Sequence, residues 1–164
     1  MEIRKTILDD LDEVMTIYQK ARQFMREHDN PTQWSGGWPA REQIEKDIAQ
    51  GRSYVCINNG KIAGVMCFLI GNDPTYAVIE NGEWLNDDTY AVVHRIASSG
   101  EFKGTGSFMM RWAFDNSGNV RVDTHEDNYV MQNMLKKLGY TYCGIIHLEN
   151  GDPRLAYQKI RISK

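Results

Sequence analysis

The spacing of hydrophobic positions switches repeatedly along the chain between the two-residue period of a strand and the three-to-four-residue period of a helix. Apolar runs predict strands at residues 1–6, 53–57, 61–70, 90–97, 120–124, 140–148 and 155–162. Helical spacing predicts helices that begin near residues 10, 40, 105 and 128. Helices therefore alternate with strands and hairpins, a pattern that favours a mixed α/β sheet with helices on both faces.

Turn residues separate these elements. Asn58-Asn59-Gly60 lies between two β-rich runs and predicts a tight hairpin, because Asn-Gly tolerates positive φ angles. Gly139 follows the last predicted helix and is a typical C-terminal stop. Residues 29–39 contain two prolines, adjacent glycines and two tryptophans, which predicts a loop. No dividing linker is visible, so residues 1–164 are expected to form a single domain.

Composition excludes several classes of protein. Hydrophobic residues make up 41% of the chain and charged residues 25%, values that are ordinary for a globular protein and unlike a disordered one. The net charge of -3 disfavours nucleic acid as a partner, since a duplex binder normally presents a basic surface. The four histidines show no ligand spacing with cysteines or carboxylates, so no metal is expected.

Cysteine usage and hydropathy predict the compartment. Cys56, Cys67 and Cys143 are too few and too scattered to indicate a disulfide framework. The longest apolar run, residues 62–70, is about half of the roughly 20 residues that cross a membrane. The first residues lack the apolar segment of a signal peptide. We therefore expect a cytoplasmic protein without a membrane partner.

Residues 94–107 form the segment richest in chemistry, because a predicted strand runs into a loop of glycine and serine that opens a helix. Backbone N–H groups of such a loop and the positive end of the helix dipole bind anions such as phosphate. Gly104 and Gly106 leave room for phosphate oxygens, and Lys103 adds a cation. The competing interpretation is a tight turn that needs glycine for its geometry alone. The order Lys-Gly-Thr excludes a Walker loop, and Met109 stands where a dinucleotide-binding fingerprint needs its third glycine.

This loop and a second segment resemble the two signatures of the GNAT-type (general-control-related) N-acetyltransferases. Residues 101–106, Glu-Phe-Lys-Gly-Thr-Gly, are similar to the coenzyme A pyrophosphate loop Arg/Gln-x-x-Gly-x-Gly/Ala, with Lys103 in the Arg/Gln place. Residues 128–140 are similar to the Asn-x-x-Ala-x-x-Leu-Tyr-x-x-x-Gly-Phe helix of that family. The resemblance spans nearly the whole chain. It implies the acyl-CoA N-acyltransferase fold, with a mixed, mostly antiparallel sheet and a splayed central strand pair.

The resemblance also implies which residues bind acetyl-CoA, the expected cosubstrate. The main chain at one strand end would hold the pantetheine arm, through Ile96, Ala97 and Ser98. The glycine-rich loop would hold the pyrophosphate, through Lys103, Gly104, Thr105, Gly106 and Ser107. Asn128 would hydrogen-bond the same molecule.

Two positions depart from the family pattern. Phe108 stands where the family has a second small residue, and its bulk could shift the loop. Leu135 replaces a tyrosine that typically protonates the departing thiolate. A thiolate with a pKa of about 8.5 is weakly basic near neutral pH, so water could serve instead.

The implied reaction is attack of a neutral amine on a thioester. An ammonium group with a pKa of about 10.4 is protonated at neutral pH, so the reaction needs a base. The expected donor to the oxyanion is a strand-end N–H near Ser98. His94 is the candidate catalytic base, because strand alternation predicts that it shares a face with Ile96 and Ser98. The alternative is that His94 is a structural histidine bonded to a carboxylate. His125 could also reach the cleft, but its interpretation as a solvated loop residue is favoured.

Aromatic residues in predicted loops suggest an acceptor pocket. Trp34 and Trp38 are expected to shape it, with Glu83 and Trp84 opposite. The alternative is that these tryptophans cover the core beneath a long loop.

We therefore expect an enzyme, an N-acetyltransferase that moves an acetyl group from acetyl-CoA directly to a primary amine of a small molecule or peptide. The alternative, favoured by Leu135, is an acyl-CoA-binding sensor or regulatory module without turnover. The resemblance leaves a homodimer open.

Overall fold

The computed structural model describes residues 1–162, so the last two residues of the predicted domain, 163 and 164, lie outside the described residues. The predicted order of strands and helices is confirmed. The elements are β1 (Glu2–Lys5), α1 (Leu11–Glu27), α2 (Arg41–Ala49), β2 (Ser53–Asn58), β3 (Lys61–Ile70), β4 (Ala91–Ser98), α3 (Thr105–Asp115), β5 (Asn119–Thr124), α4 (Tyr129–Lys137), β6 (Thr141–His147) and β7 (Pro153–Ile160).

These strands form one sheet in the order β1-β2-β3-β4-β5-β7-β6. Neighbouring strands are antiparallel except β4 and β5, which are parallel. Pairing between β4 and β5 is confined to Ala91 with Val120 and Val92 with Arg121. Past these pairs the two strands separate, which confirms the mostly antiparallel sheet and the splayed central pair.

Helices cover both faces of the sheet, as predicted. On one face, α1 and α2 pack on β2, β3 and the end of β4 through Val14, Ile17, Ile44, Val55, Val65 and Ala97. On the other face, α3 and α4 pack on the strands through Met109, Met110, Leu135, Phe68, Ala91 and Val122. The splay therefore lies in the middle of a covered sheet, between two apolar clusters.

A β-bulge interrupts β4 just beyond the last pair with β5. Cys67 pairs with His94 while Val65 pairs with Ala97, so Arg95 and Ile96 together oppose one residue of β3. Arg95 has a φ of +50°, a backbone conformation that is uncommon for a residue with a side chain.

The bulge overturns the predicted alternation along β4. Ile96 packs against the apolar cluster beneath α3 and α4. His94 instead lies 6.2 Å, between ring centroids, from Tyr76, which belongs to a separate cluster that includes Val92. The prediction that His94 and Ile96 share a face is therefore wrong, because the extra residue shifts the two-residue period by one.

Two contacts hold the bulge in place. The Arg95 guanidinium donates from Nε and Nη2 to the two carboxylate oxygens of Asp47, each at 2.8 Å. The side chains of Arg95 and Asp47 are 15% and 4% exposed, so this ion pair is largely shielded from water. The Tyr18 hydroxyl donates to the Arg95 carbonyl at 2.7 Å. The positive φ is thus fixed from helices α1 and α2.

Removing the carboxylate of this pair is expected to destabilise the fold. Asp47→Ala leaves the Arg95 guanidinium buried and unpaired, so we expect a loss of about 3–5 kcal/mol in the free energy of unfolding, measured with urea. The control is Asp12→Ala, which breaks the exposed ion pair between Asp12 and Arg41, 2.7 Å apart, and should change stability little. Equal effects of the two substitutions would contradict the assigned role.

Candidate functional site

A cleft crosses the sheet where β4 and β5 separate, and it has two halves. The first cavity has a volume of about 410 Å³ and lies between α1, the end of β4 and the N-terminal turns of α3 and α4. The second has a volume of about 480 Å³ and contains His94. Both are lined by Met25, Ile96, Asn128 and Met131, so they join at the splay.

Part of the predicted acetyl-CoA site lines the first cavity. Its predicted members there are Ile96, Ala97, Ser98, Gly106 and Asn128. Its other lining residues include Ser99 and Gly100, which belong to the glycine-rich loop, and residues of α1 from Lys20 to Glu27 together with His28, which follows that helix. The sequence analysis missed this part of the lining, because the face of α1 that borders a cavity carries no motif.

The N-terminus of α3 is open to an anion. Gly104 precedes the helix with a φ of +77°, and no side chain caps this end. The N–H groups of Thr105, Gly106 and Ser107 therefore have no partner within the helix, and the helix dipole adds partial positive charge. Lys103 is exposed beside them. Of the predicted pyrophosphate-binding residues, only Gly106 lines the cavity itself.

The two departures from the family pattern have different consequences. Phe108 is half-buried and packs against the core beneath α3. Leu135 is fully buried in the same cluster. No tyrosine is among the residues in the range 1–162 that line either cavity. The described part of the cleft thus offers no phenol to a departing thiolate.

Asn128 is already hydrogen-bonded within the protein. Its Oδ1 accepts from the N–H of Met131 at 3.0 Å and so caps α4. Its Nδ2 donates to Oε1 of Gln33 at 2.9 Å, which ties the α1–α2 loop to this end of the cleft. Its structural contacts are therefore those of a helix cap.

His94 forms a close pair with Asp73, a residue the sequence analysis missed. His94 Nε2 and Asp73 Oδ2 are 2.7 Å apart. Thr75 donates to the other carboxylate oxygen from its N–H at 2.9 Å and its hydroxyl at 2.7 Å. Burial raises the pKa of Asp73, but the hydrogen bonds from His94 and Thr75 outweigh it and lower that pKa to about 2. An ionised Asp73 holds the proton of the neutral imidazole on Nε2 and leaves Nδ1 as an acceptor.

A second polar pair lies beside the second cavity, with its carboxylate on the cavity wall and its tyrosine buried behind it. The Tyr76 hydroxyl donates to Oδ2 of Asp123 at 2.6 Å. Burial raises the pKa of Asp123 and also that of Tyr76. The second carboxylate oxygen of Asp123 makes no hydrogen bond within residues 1–162, and Asp123 lines the second cavity. This oxygen can therefore accept a hydrogen bond from a bound ligand.

The loop between β3 and β4 brings these groups together. It begins with Asp73 and Tyr76 and then crosses to the far edge of the sheet, where Glu80 pairs with Ile145 through two backbone hydrogen bonds of 2.8 Å. Residue spacing gave no sign of this path. The position of Asp123 at the end of β5, across the splay from β4, was the available signal.

The four predicted acceptor-binding residues separate into two groups. Trp34 and Trp38 line the second cavity. Trp84 instead donates from Nε1 to the Tyr76 carbonyl at 2.9 Å and stacks against the guanidinium of Arg121, 4.3 Å from its ring centroid. Glu83 is exposed. Neither Glu83 nor Trp84 lines the second cavity. For Trp84 the reason is that its indole is held by Tyr76 and Arg121.

His125 lies outside both cavity linings. Its Nδ1 accepts from the N–H of Asp127 at 3.0 Å, and its Nε2 is 3.2 Å from the hydroxyl of Thr32. Within residues 1–162 no group of three histidine, cysteine or acidic side chains is placed to hold a metal ion. In the same range, no helix is both long enough and apolar enough to cross a membrane.

Comparisons with known proteins identify the family. Residues 11–140, more than half of the chain, match the acetyltransferase (GNAT) family. A GNAT-family acetyltransferase from Streptococcus agalactiae is similar at 34% identity with a TM-score of 0.88, covering 99% of this chain and 96% of that one. The chain therefore belongs to the GNAT acetyltransferase family and is an acyltransferase enzyme.

More distant structures share the fold alone. A GNAT-family acetyltransferase from Listeria monocytogenes is similar at 23% identity with a TM-score of 0.70, covering 96% of this chain and 93% of that one. The ribosomal-protein-S18-alanine N-acetyltransferase from Escherichia coli is similar at 14% identity with a TM-score of 0.65, covering 99% and 96%. No curated protein matches the sequence.

The lowered pKa of Asp73 predicts a pH-dependent contribution to stability. Its folded-state pKa of about 2 lies below the ordinary 3.8, so the ionised carboxylate stabilises the fold above about pH 4, and this is lost as pH falls towards 2. The shift corresponds to about 2 kcal/mol. The free energy of unfolding, measured with urea, should therefore fall less between pH 5 and pH 3 for Asp73→Asn than for the wild type. An exposed control, Asp88→Asn, should follow the wild type, and parallel curves for all three proteins would refute the prediction.

Proposed function

We propose that the protein is an N-acetyltransferase that transfers the acetyl group of acetyl-CoA to a primary amine within a single domain. The observation that carries this proposal is the unpaired edge of β4 from Val93 to Ser98, which runs to the uncapped N-terminus of α3 along the cleft. The edge offers hydrogen-bonding groups to an extended chain, and the helix end offers them to an anion. Coenzyme A has both groups, since its pantetheine arm is an extended chain and its pyrophosphate is an anion.

In this proposal the main chain of β4 holds the pantetheine arm and the first turn of α3 holds the pyrophosphate. Ile96, Ala97 and Ser98 line the first cavity on their unpaired side. The N–H groups of residues 105–107 donate to the phosphate oxygens, with Lys103 as an exposed counter-charge. Asn128 acts by capping α4 beside this site, so its assignment as a direct ligand would require it to exchange its bond with Gln33.

Acetyl-CoA supplies an activated acyl group. During transfer the bond between the acceptor nitrogen and the acyl carbon forms and the carbon–sulfur bond breaks. The nitrogen loses one proton and the thiolate gains one, so the products are an amide and free coenzyme A. Leu135 cannot supply that proton, and a thiolate of ordinary basicity takes it from water.

His94 is the proposed base. Asp73 fixes the ring through Nε2, so Nδ1 is the atom that accepts the proton from the amine, as in other carboxylate–histidine pairs. The free carboxylate oxygen of Asp123 accepts a hydrogen bond from the amine and orients it. Trp34 and Trp38 wall the acceptor side.

The second candidate function, against which the family assignment weighs, is an acyl-CoA-binding sensor without turnover. It is favoured by the buried Leu135 and by the absence of tyrosine from the described linings of the cleft. Thiol release in the presence of an amine separates the two functions. We further propose a cytoplasmic location, which three buried free cysteines support. We also propose that two copies of the chain can form a homodimer.

A negative charge in the first turn of α3 is expected to repel coenzyme A. Ser107→Glu places a carboxylate where the pyrophosphate would lie, while an acidic residue at a helix N-terminus does not destabilise the helix. Calorimetry should show at least about 10-fold weaker binding of coenzyme A than for the wild type. Ser107→Gln has the same size without the charge and should bind much better. Equal binding by both variants would place the pyrophosphate elsewhere.

Replacing His94 tests the base. His94→Gln should lower kcat by at least about 100-fold and remove the fall in rate on the acid side of the pH profile, because the proton acceptor is lost. Binding of coenzyme A should not change. His125→Gln is the control and should keep the profile of the wild type. A wild-type profile in His94→Gln would exclude this histidine from the reaction.

A further inference from the structure

Arg154 is a buried cation without a carboxylate partner. It lies in β7, is 6% exposed and lines the second cavity. Within residues 1–162 its guanidinium makes one hydrogen bond, from Nη1 to the carbonyl of Pro153 at 2.9 Å. No carboxylate of the described residues lies within 4.0 Å of it. A guanidinium has five donors, and burying its charge without a partner is costly.

The other charged side chains of this cavity, apart from one free oxygen of Asp123, have hydrogen-bonding partners or are exposed. Arg95 is bound by Asp47 on both of its donor arms. Asp73 is paired with His94. Glu149 lines the cavity but is exposed, so its charge is hydrated. Arg154 is therefore the cation of this cavity that still lacks an anion.

Arg154 lies beside the proposed amine-binding carboxylate. Asp123 pairs with Ala156 in the β5–β7 ladder, and Arg154 is two residues before Ala156 on the same strand. Residues two apart on a strand point to the same face, so Asp123 and Arg154 are diagonal neighbours on one face. They do not form an ion pair. The cavity thus presents a carboxylate and a guanidinium next to each other but not in contact.

We propose that the acceptor is a free amino acid, whose carboxylate binds Arg154 while its amine is held by Asp123 within reach of His94. The inference rests on the proposed function, because it identifies the substrate class of that acceptor site. An amino acid has a carboxylate that complements the Arg154 guanidinium and an amino group that complements the Asp123 carboxylate. A polyamine or a simple alkylamine would instead leave the Arg154 guanidinium unpaired.

The first test compares matched acceptors on the wild-type enzyme. Each of the common amino acids is assayed against its amide and its decarboxylated amine, with thiol release from acetyl-CoA as the readout. For the preferred amino acid, kcat/KM should exceed that of the amide and the amine by about 10- to 100-fold, since a charge-assisted hydrogen bond to a buried group is lost. Equal or better turnover of the amide and amine would overturn the inference while leaving the proposed function in place.

The second test replaces the guanidinium. Arg154→Gln should raise KM for the amino acid at least about 10-fold and leave KM for its amide nearly unchanged. Arg154→Lys keeps the charge without the planar pair of donors and should fall between them. Thermal unfolding and calorimetry with coenzyme A verify that each variant is folded. Equal changes in KM for acid and amide would show that Arg154 supports the fold and does not read the carboxylate.

A binding measurement separates the two proposals. The wild-type complex with coenzyme A is titrated with the amino acids and with their amides by calorimetry. Binding of the acid but not the amide, without any turnover, supports an amino-acid site at Arg154 and contradicts the acetyltransferase proposal. If no amino acid binds and none is turned over, the inference is overturned. If other amines are turned over in that case, the proposed function is retained.

Discussion

The ion pair between Asp47 and Arg95 is the contact on which the cleft depends. It holds a residue with a positive φ in the middle of the sheet, and so it maintains the bulge in β4. A regular β4 would keep the two-residue alternation and could continue its ladder with β5. The bulge lies just beyond the last pair with β5, and from Val93 onward the backbone groups on the β5 side of the strand face the cleft. A buried electrostatic contact thus supports an unpaired strand edge in the centre of the domain, where a free edge is otherwise avoided.

The cleft combines two different environments because different elements build its two halves. The first half is made of main chain, with the edge of β4, the glycine-rich loop and the open end of α3. The second is made of side chains, with His94, Asp73 and Asp123 supported by hydrogen bonds from Thr75 and Tyr76. A main-chain surface suits a molecule shared by every member of a family. A side-chain surface suits the molecule that differs between members, because single substitutions can alter it.

The sequence was sufficient for whatever depends on local spacing. The hairpin at Asn59-Gly60 forms with φ angles of +53° and +75°, and Gly139 ends α4 with a φ of +86°, as their residue types predict. The α3 loop followed from its glycines and its motif. The bulge at Arg95 could not be predicted, because arginine in a strand carries no signal for positive φ and its cause is a contact with Asp47, 48 residues away. Asp73 was missed for a similar reason, since the loop that carries it is positioned by the edge of β6. Trp84 was misplaced because its partner Arg121 comes from another strand.

Tyr18 links the bulge to the wall of the second cavity, since its hydroxyl bonds to the Arg95 carbonyl and its ring packs edge-on against Trp34 at 5.8 Å. A substitution in this part of α1 would disturb both sites at once, so selection has little freedom there. The turn between β6 and β7 lines the cavity but does not also support the sheet. Glu149 and Asn150 are exposed at the edge of the cavity and take part in no strand pairing. Divergence towards new substrates during evolution is therefore expected to accumulate in that turn, while the α1 contact changes slowly.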